Sequence, residues 1–247
     1  LNTIEVISNN SPIQNRIIGL NYVLENNYQQ LIFGDSDDYF AENRVAISKE
    51  YLSKNDIVVN DLTLFSQQEK TPTIFKNITF SKEDLVKKNI FGLSNTAIRT
   101  AILKDVDLNP QSKIIAYDWY MFSLLVFKGY TFKFTAKTIS FYRQYHLNTL
   151  GISHELDEKS LQNLLLVKKL HLKELKKHYS EIDKSEYSLI FENELKIHLE
   201  LEAFLEQDKQ KIAYLLLVNK HIESLFSGWF SQLISLKKYN TLNESTN

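Results

Sequence analysis

Short apolar runs alternate with three-to-four-residue apolar repeats over the first part of the chain. Thr3-Ile4-Glu5-Val6-Ile7 reads as a short strand, and Ile13, Ile17, Leu20 and Leu24 then fall at helical spacing from Pro12 to Leu24, with Ser11 placed to cap. Leu31-Ile32-Phe33, ending at Gly34, has the pattern of a buried strand, and Phe40 to Leu52 reads as a helix. Asp56 to Asn60 repeats the buried-strand pattern. Strand, helix, strand, helix, strand predicts an α/β domain with a mostly parallel sheet flanked by helices. Further on, Asp118 to Phe127 reads as a helix stopped at Gly129, and Ile139 to Tyr142 as a strand.

Beyond Gly151 the pattern changes. All three prolines and five of the six glycines lie at or before that residue, leaving Gly228 as the single breaker of either kind in the remainder. Leu161, Leu164, Leu165, Leu172, Leu175 and Tyr179 form one apolar stripe, with Lys168, Lys169, Lys173, Lys176 and Lys177 largely opposite. Leu195, Ile197, Leu199 and Leu201 alternate as a strand would, but Phe204 and Leu205 continue the apolar set without a turn, so the segment is read as helix. Ile212 to Phe230 reads as a third helix. These patterns divide the chain into an α/β domain over 1–151 and an all-helical region over 152–247.

Composition narrows the chemistry. Twenty-nine lysines and arginines against 30 acids give no electrostatic footprint for nucleic acid. The absence of cysteine excludes disulfides, thiolate metal sites and cysteine nucleophiles. No apolar run reaches the ~20 residues of a membrane-spanning helix, and no basic segment followed by an apolar one marks a secretory signal. A location in the cytoplasm or at the inner face of the membrane is expected. The tail is a candidate for peripheral membrane or homo-oligomer contact.

Three motifs carry candidate chemistry. Asp35-Ser36-Asp37-Asp38 follows the apolar run at Leu31, so three carboxylates arrive together at a strand's C-terminal end, where ligands bind in open α/β sheets. Such crowding of like charge favours a hard divalent cation, Mn²⁺ or Mg²⁺; a solvated acidic loop, with Asp38 capping the next helix, is the alternative. Asp118, ahead of an apolar helix, can cap it or act as a general base. Tyr142-Arg143 and His146 precede Asn148 and Gly151. The chain holds only four arginines, at 16, 44, 99 and 143, so Arg143 suggests a bidentate site such as a diphosphate, or a structural ion pair. Arg44 and Arg99 read as surface residues, and His171, His178, His198 and His221 as surface or packing residues.

Taken in order, these motifs resemble the family 2 glycosyltransferases of the GT-A fold. Asn15-Arg16-Ile17 resembles the family's arginine ahead of a helix, Asp35-Ser36-Asp37-Asp38 its acid run, Asp118 its acidic helix start, and Tyr142-Arg143 its closing segment. The resemblance implies an inverting, metal-dependent transferase that moves a sugar from a nucleotide-diphosphate donor to a saccharide or lipid-linked saccharide acceptor. It implies Asp118 as general base, Arg16, Asp35, Asp37, Asp38 and Arg143 at the donor, and Asp37, Asp35 and His146 at the metal. Gly92 would begin an acceptor-side loop. The sequence departs from the pattern at Ile17, where the family has asparagine, and at Tyr145, where it has histidine. The family's opening strand–helix–strand unit is also expected to be missing, which keeps open a non-catalytic binding or scaffold protein of the same fold. A phosphohydrolase of the haloacid dehalogenase type also places Asp-x-Asp after a strand, but Tyr39 stands where it carries threonine or valine.

Overall fold

A computed structural model describes residues 3–65, 75, 79–111, 113–143, 157–182, 184–207, 210–213, 215–216, 228–231, 233 and 236. The first helix, α1 (Pro12–Glu25), starts at a capping box in which Ser11 and Gln14 satisfy each other's backbone N–H groups. It is followed by β1 (Gln30–Ile32), β2 (Tyr39–Phe40), α2 (Arg44–Leu52), β3 (Ile57–Phe65), the single turn α3 (Lys82–Leu85) and β4 (Thr96–Arg99). A 3₁₀ segment (Thr100–Asp105), α4 (Tyr117–Lys128), β5 (Phe132–Arg143), α5 (Glu158–Glu181) and α6 (Ser185–Glu206) complete the order.

The sheet runs β1-β4-β3-β5-β2. It is mixed: β3 and β5 are parallel, while β1 with β4, β4 with β3 and β2 with β5 are antiparallel. The expectation of a mostly parallel sheet is thereby corrected to a mixed α/β architecture. The run at Leu31, expected as a buried strand, is a half-buried edge strand covered on both faces: Leu31 and Phe33 pack on the main core, and Ile32 on a smaller cluster with Leu52, Val58 and Ala97. That covering makes an edge strand apolar on both sides. Thr3 to Ile7 has no regular structure, and Ile4, Val6 and Ile7 are exposed. Phe40, expected to open a helix, instead pairs with Tyr39 in β2, and the helix begins at Arg44.

β3 is buried along eight of its nine residues, and β5 follows it in parallel with one irregularity. Asn60 pairs with Thr135, but Asp61 pairs with Ile139, so Ala136, Lys137 and Thr138 bulge from the ladder. Asn43 at the start of α2 clamps that bulge, donating to the Lys137 carbonyl at 3.0 Å and accepting from the Thr138 hydroxyl at 2.8 Å.

α4 is apolar around its circumference because it lies between the sheet and α5. Trp119 stacks on His171 of α5, and Phe127 meets Tyr179 and Phe191. The helical region therefore shares one core with the sheet. α5 and α6 lie antiparallel, joined by Lys168–Glu194 at 2.8 Å and Lys169–Glu202 at 2.8 Å. Lys168, expected on the solvated face, is buried with its partner; His171 and His198 are buried packing residues. The third helix does not extend to Phe230: helical turns occupy 210–213 and 215–216, and Gly228 and Trp229 are not helical. Among the described residues no helix is long and apolar enough to cross a membrane.

Candidate functional site

A cleft of about 970 Å³ opens where the start of α1, the loop after β1, the loop before β4 and the start of α4 converge. Arg16, Asp35, Asp37 and Asp118 all line it. Lys113, Asn95, Tyr142 and Trp229 contribute further wall. Four residues singled out from sequence are thus gathered on one concavity from three separate parts of the chain.

The acid loop is held from behind. At its start the buried Arg44 guanidinium donates to the Phe33 carbonyl at 2.7 Å and to Asn60 Oδ1 at 3.2 Å, and lies over the Phe40 ring. At its end Arg143 donates from Nε to the Asp37 carbonyl at 2.7 Å, and its backbone N–H donates to Asp38 Oδ1 at 2.8 Å. Ser94 holds the middle, its hydroxyl accepting from the Asp35 N–H at 3.0 Å and donating to Asp35 Oδ2 at 3.2 Å. Ser140 in turn donates to the Ser94 carbonyl at 2.6 Å, and Asn60 donates to Ser140. A polar chain from the centre of the sheet therefore fixes the loop's backbone, leaving Asp35 and Asp37 on the cleft wall.

Asp38 differs from its neighbours. It is buried, its Oδ2 has no hydrogen-bond partner among the described residues, and desolvation raises its carboxyl above the ordinary range, opposed by the Arg143 N–H. It faces the interior rather than the cleft. Arg143 is likewise turned onto the acid loop, and it is not among the cleft-lining residues. Arg44, read from sequence as a surface residue, is buried; loss of water pulls its guanidinium down to about 10 against the favourable charge of Asp38. Arg99 is the surface residue it was expected to be, 3.8 Å from Asp56. His146, Asn148 and Gly151 lie outside the described residues.

Asp118 sits in the first turn of α4, two residues after the N-cap Ala116, so it does not cap the helix. Its Oδ1 accepts the Trp119 N–H at 2.8 Å. Desolvation in the wall raises the carboxyl to about 6, opposed by the Trp119 N–H and the Arg16 charge and reinforced by Asp35. Arg16 and Asp35 thus act electrostatically on the same carboxyl.

No family model matches this sequence, and no curated protein does. Among solved structures, that of S. aureus TarS is similar, with a TM-score of 0.38 and 16% identity over 68% of this chain. The match covers 31% of the TarS chain, so this chain spans under a third of it. Similarity at that level assigns this chain neither a family nor an activity.

The functional argument therefore rests on the cleft. Among the described residues no group of three or more His, Asp and Glu side chains is arranged to hold a metal. Of the three carboxylates that line the cleft, two, Asp35 and Asp37, stand together on one loop. That number suits a Mg²⁺- or Mn²⁺-type cation, which commonly takes one or two protein carboxylates and completes its shell with water and phosphate oxygens. Sequence reasoning missed Ser94, Lys113 and Trp229 as site residues. Their loops carry no repeating pattern, and only the fold brings them to the cleft.

Proposed function

We propose that this protein is an inverting glycosyltransferase that uses a nucleotide-diphosphate sugar. The observation that carries the reading is the presence of Arg16, Asp35, Asp37 and an elevated Asp118 on one cleft of about 970 Å³, a volume suited to a small organic ligand. The resemblance of the motifs to family 2 glycosyltransferases supports the same chemistry.

In this reading the donor diphosphate lies between Arg16, beside the N-terminus of α1, and the Asp35–Asp37 wall. The helix N-terminus and the guanidinium both favour anionic oxygens. Asp37, with Asp35, would hold the divalent cation, whose chemistry when bound is neutralisation of charge on the departing nucleoside diphosphate. Asp118 accepts the proton of the acceptor hydroxyl as its oxygen attacks the anomeric carbon. The bond to the diphosphate breaks as the new glycosidic bond forms, inverting that carbon. A base with a pKa near 6 is largely ionised at neutral pH yet basic enough to take a proton in flight. Asp38 and Arg143 act behind the loop as positioning residues. The acceptor is a saccharide, free or lipid-linked.

The test is a thermal-shift panel with UDP, GDP, dTDP and CDP, each with and without Mn²⁺. A nucleotide at a hundred times its dissociation constant adds about 2.7 kcal/mol, a rise of several degrees. The expected result is a Mn²⁺-dependent rise with one nucleotide, lost in Asp37→Asn and retained in Asp118→Asn. No Mn²⁺-dependent rise with any of the four would overturn the donor site and leave the scaffold reading.

A further inference from the structure

The region beyond Gly151 supports the cleft at two points. At one, Trp229 and Asn89 form an isolated antiparallel bridge, the Trp229 N–H donating to the Asn89 carbonyl at 2.8 Å and the Asn89 N–H returning to the Trp229 carbonyl at 3.0 Å. At the other, α5 holds the connection between the 3₁₀ segment and α4. The buried Glu174 carboxylate accepts the Gln111 N–H at 2.6 Å, and the Gln111 side chain donates to Glu181 at 3.0 Å. That connection is also fixed from within. Asp107 accepts the Asn109 N–H at 2.9 Å, and the buried Tyr117 hydroxyl donates to the Leu108 carbonyl at 2.9 Å. Leu108 and Ile114 both enter the core.

This fastened connection carries one cation onto the cleft. Lys113, next to the anchored Ile114, is exposed and lines the cleft. It forms neither an ion pair nor a hydrogen bond among the described residues. Arg16 is the second cation lining the cleft and also has neither, whereas Arg44, Arg99 and Arg143 each hold a partner. The Arg16 charge acts on the Tyr117 hydroxyl, so Arg16 lies beside the connection that Tyr117 fastens. Against the carboxylates of Asp35, Asp37 and Asp118, Arg16 alone would leave a cleft holding a divalent cation with no net charge. Lys113 makes that cleft positive, as a dianionic ligand requires. A sugar diphosphate ester gains a further negative charge when its bond to the sugar breaks, and that charge falls on the phosphate nearest the sugar.

We propose that Lys113 is a donor-binding residue whose ammonium contacts the phosphate next to the sugar and neutralises the charge that phosphate gains as it departs. The proposal rests on the transferase reading for the identity of the diphosphate. In the step, the bond from the anomeric carbon to the phosphate oxygen breaks and its electron pair stays on that oxygen. The acceptor oxygen forms the new bond to carbon, and its proton passes to Asp118. Lys113 keeps its own proton throughout and acts by charge and hydrogen bonding. A compact ammonium on a flexible stem suits that task, since it can follow the phosphate as it moves away. α5 contributes through Glu174, which fixes the backbone leading to Lys113.

The probes are UDP, GDP, dTDP and CDP and their four monophosphates, each titrated calorimetrically with Mn²⁺ into the wild type, Lys113→Gln and Lys113→Arg. Lys113 is exposed, so both variants are expected to melt with the wild type in the absence of ligand. The diphosphate that the wild type binds is expected to lose ~10-fold or more in affinity in Lys113→Gln, about 1.4 kcal/mol, and to regain most of it in Lys113→Arg. The monophosphate lacks the outer phosphate and is expected to bind wild type and Lys113→Gln alike. Unchanged diphosphate affinity in Lys113→Gln would overturn the proposal and leave the transferase reading standing. An equal loss for diphosphate and monophosphate would also overturn it, by moving Lys113 away from the outer phosphate. If no diphosphate binds the wild type with Mn²⁺, the proposal and the transferase reading fall together.

Discussion

Asp118 holds its proton to about pH 6 because the cleft wall removes water from it, and that single property has two measurable consequences. As a general base it must be ionised, so transfer is expected to rise with pH through about 6 and then level off. Asp118→Asn is expected to lower transfer by ~10²–10⁴-fold with nucleotide binding intact, as read by initial rates beside thermal shifts. Stability follows the opposite sign. The folded carboxyl binds its proton more tightly than the unfolded one, so the folded state loses relative stability as pH climbs from about 4 to about 6. Asp118→Asn removes that penalty and is expected to melt higher than the wild type above pH 6, with the advantage vanishing below pH 4. A variant that is inactive yet more stable at neutral pH is the expected signature of a site residue rather than a structural one.

At the scale of elements, the acid loop is positioned by groups that the sequence does not advertise. Arg44 on α2 anchors the end of β1 through the Phe33 carbonyl. Arg44→Ala would leave that carbonyl and Asn60 Oδ1 without their donor, and each buried unsatisfied group costs about 1–3 kcal/mol. Urea unfolding is expected to show a loss of about 2–5 kcal/mol, with Mn²⁺-dependent nucleotide binding weakened in the protein that remains folded. Helices α1, α4 and α5 were readable because their apolar spacing and end signals are local: Ser11 before Pro12, Gly129 after Lys128, and the stripe from Leu161 to Tyr179. Strand partners were not readable. β1 is an edge strand whose apolar character comes from helices on both faces, and its antiparallel neighbour β4 contains Thr96 and Arg99 and resembles no strand pattern. Asp35, Asp37 and Asp118 could be named because acids after a strand and at a helix start are sequence-local signals, whereas Arg16 was named only through the resemblance of the motifs to family 2 glycosyltransferases. The inward turn of Asp38, the burial of Arg44 and the arrival of Trp229 depend on tertiary placement, which no local pattern encodes.

Across the whole molecule, the sheet and the helical hairpin form one body through a core that contains an ion pair. Lys168 is almost wholly buried, and burial pulls its ammonium down while Glu194 at 2.8 Å opposes that. Removing one partner strands a charge, so Lys168→Met is expected to destabilise by about 3–5 kcal/mol in urea unfolding. Lys168→Met combined with Glu194→Leu is expected to restore most of that stability, because two apolar side chains replace two desolvated ions. The parallel pairing of β3 with β5 carries a consequence for how the chain is made. Ile57 cannot meet Phe132 until β5 has left the ribosome, and Asn89 waits longer still for Trp229. The α5–α6 hairpin, by contrast, closes through neighbours in sequence. Synthesis therefore delivers a chain whose half-built sheet lacks the parallel partner of β3 until β5 emerges, and whose cleft stays unwalled on one side until Trp229 follows.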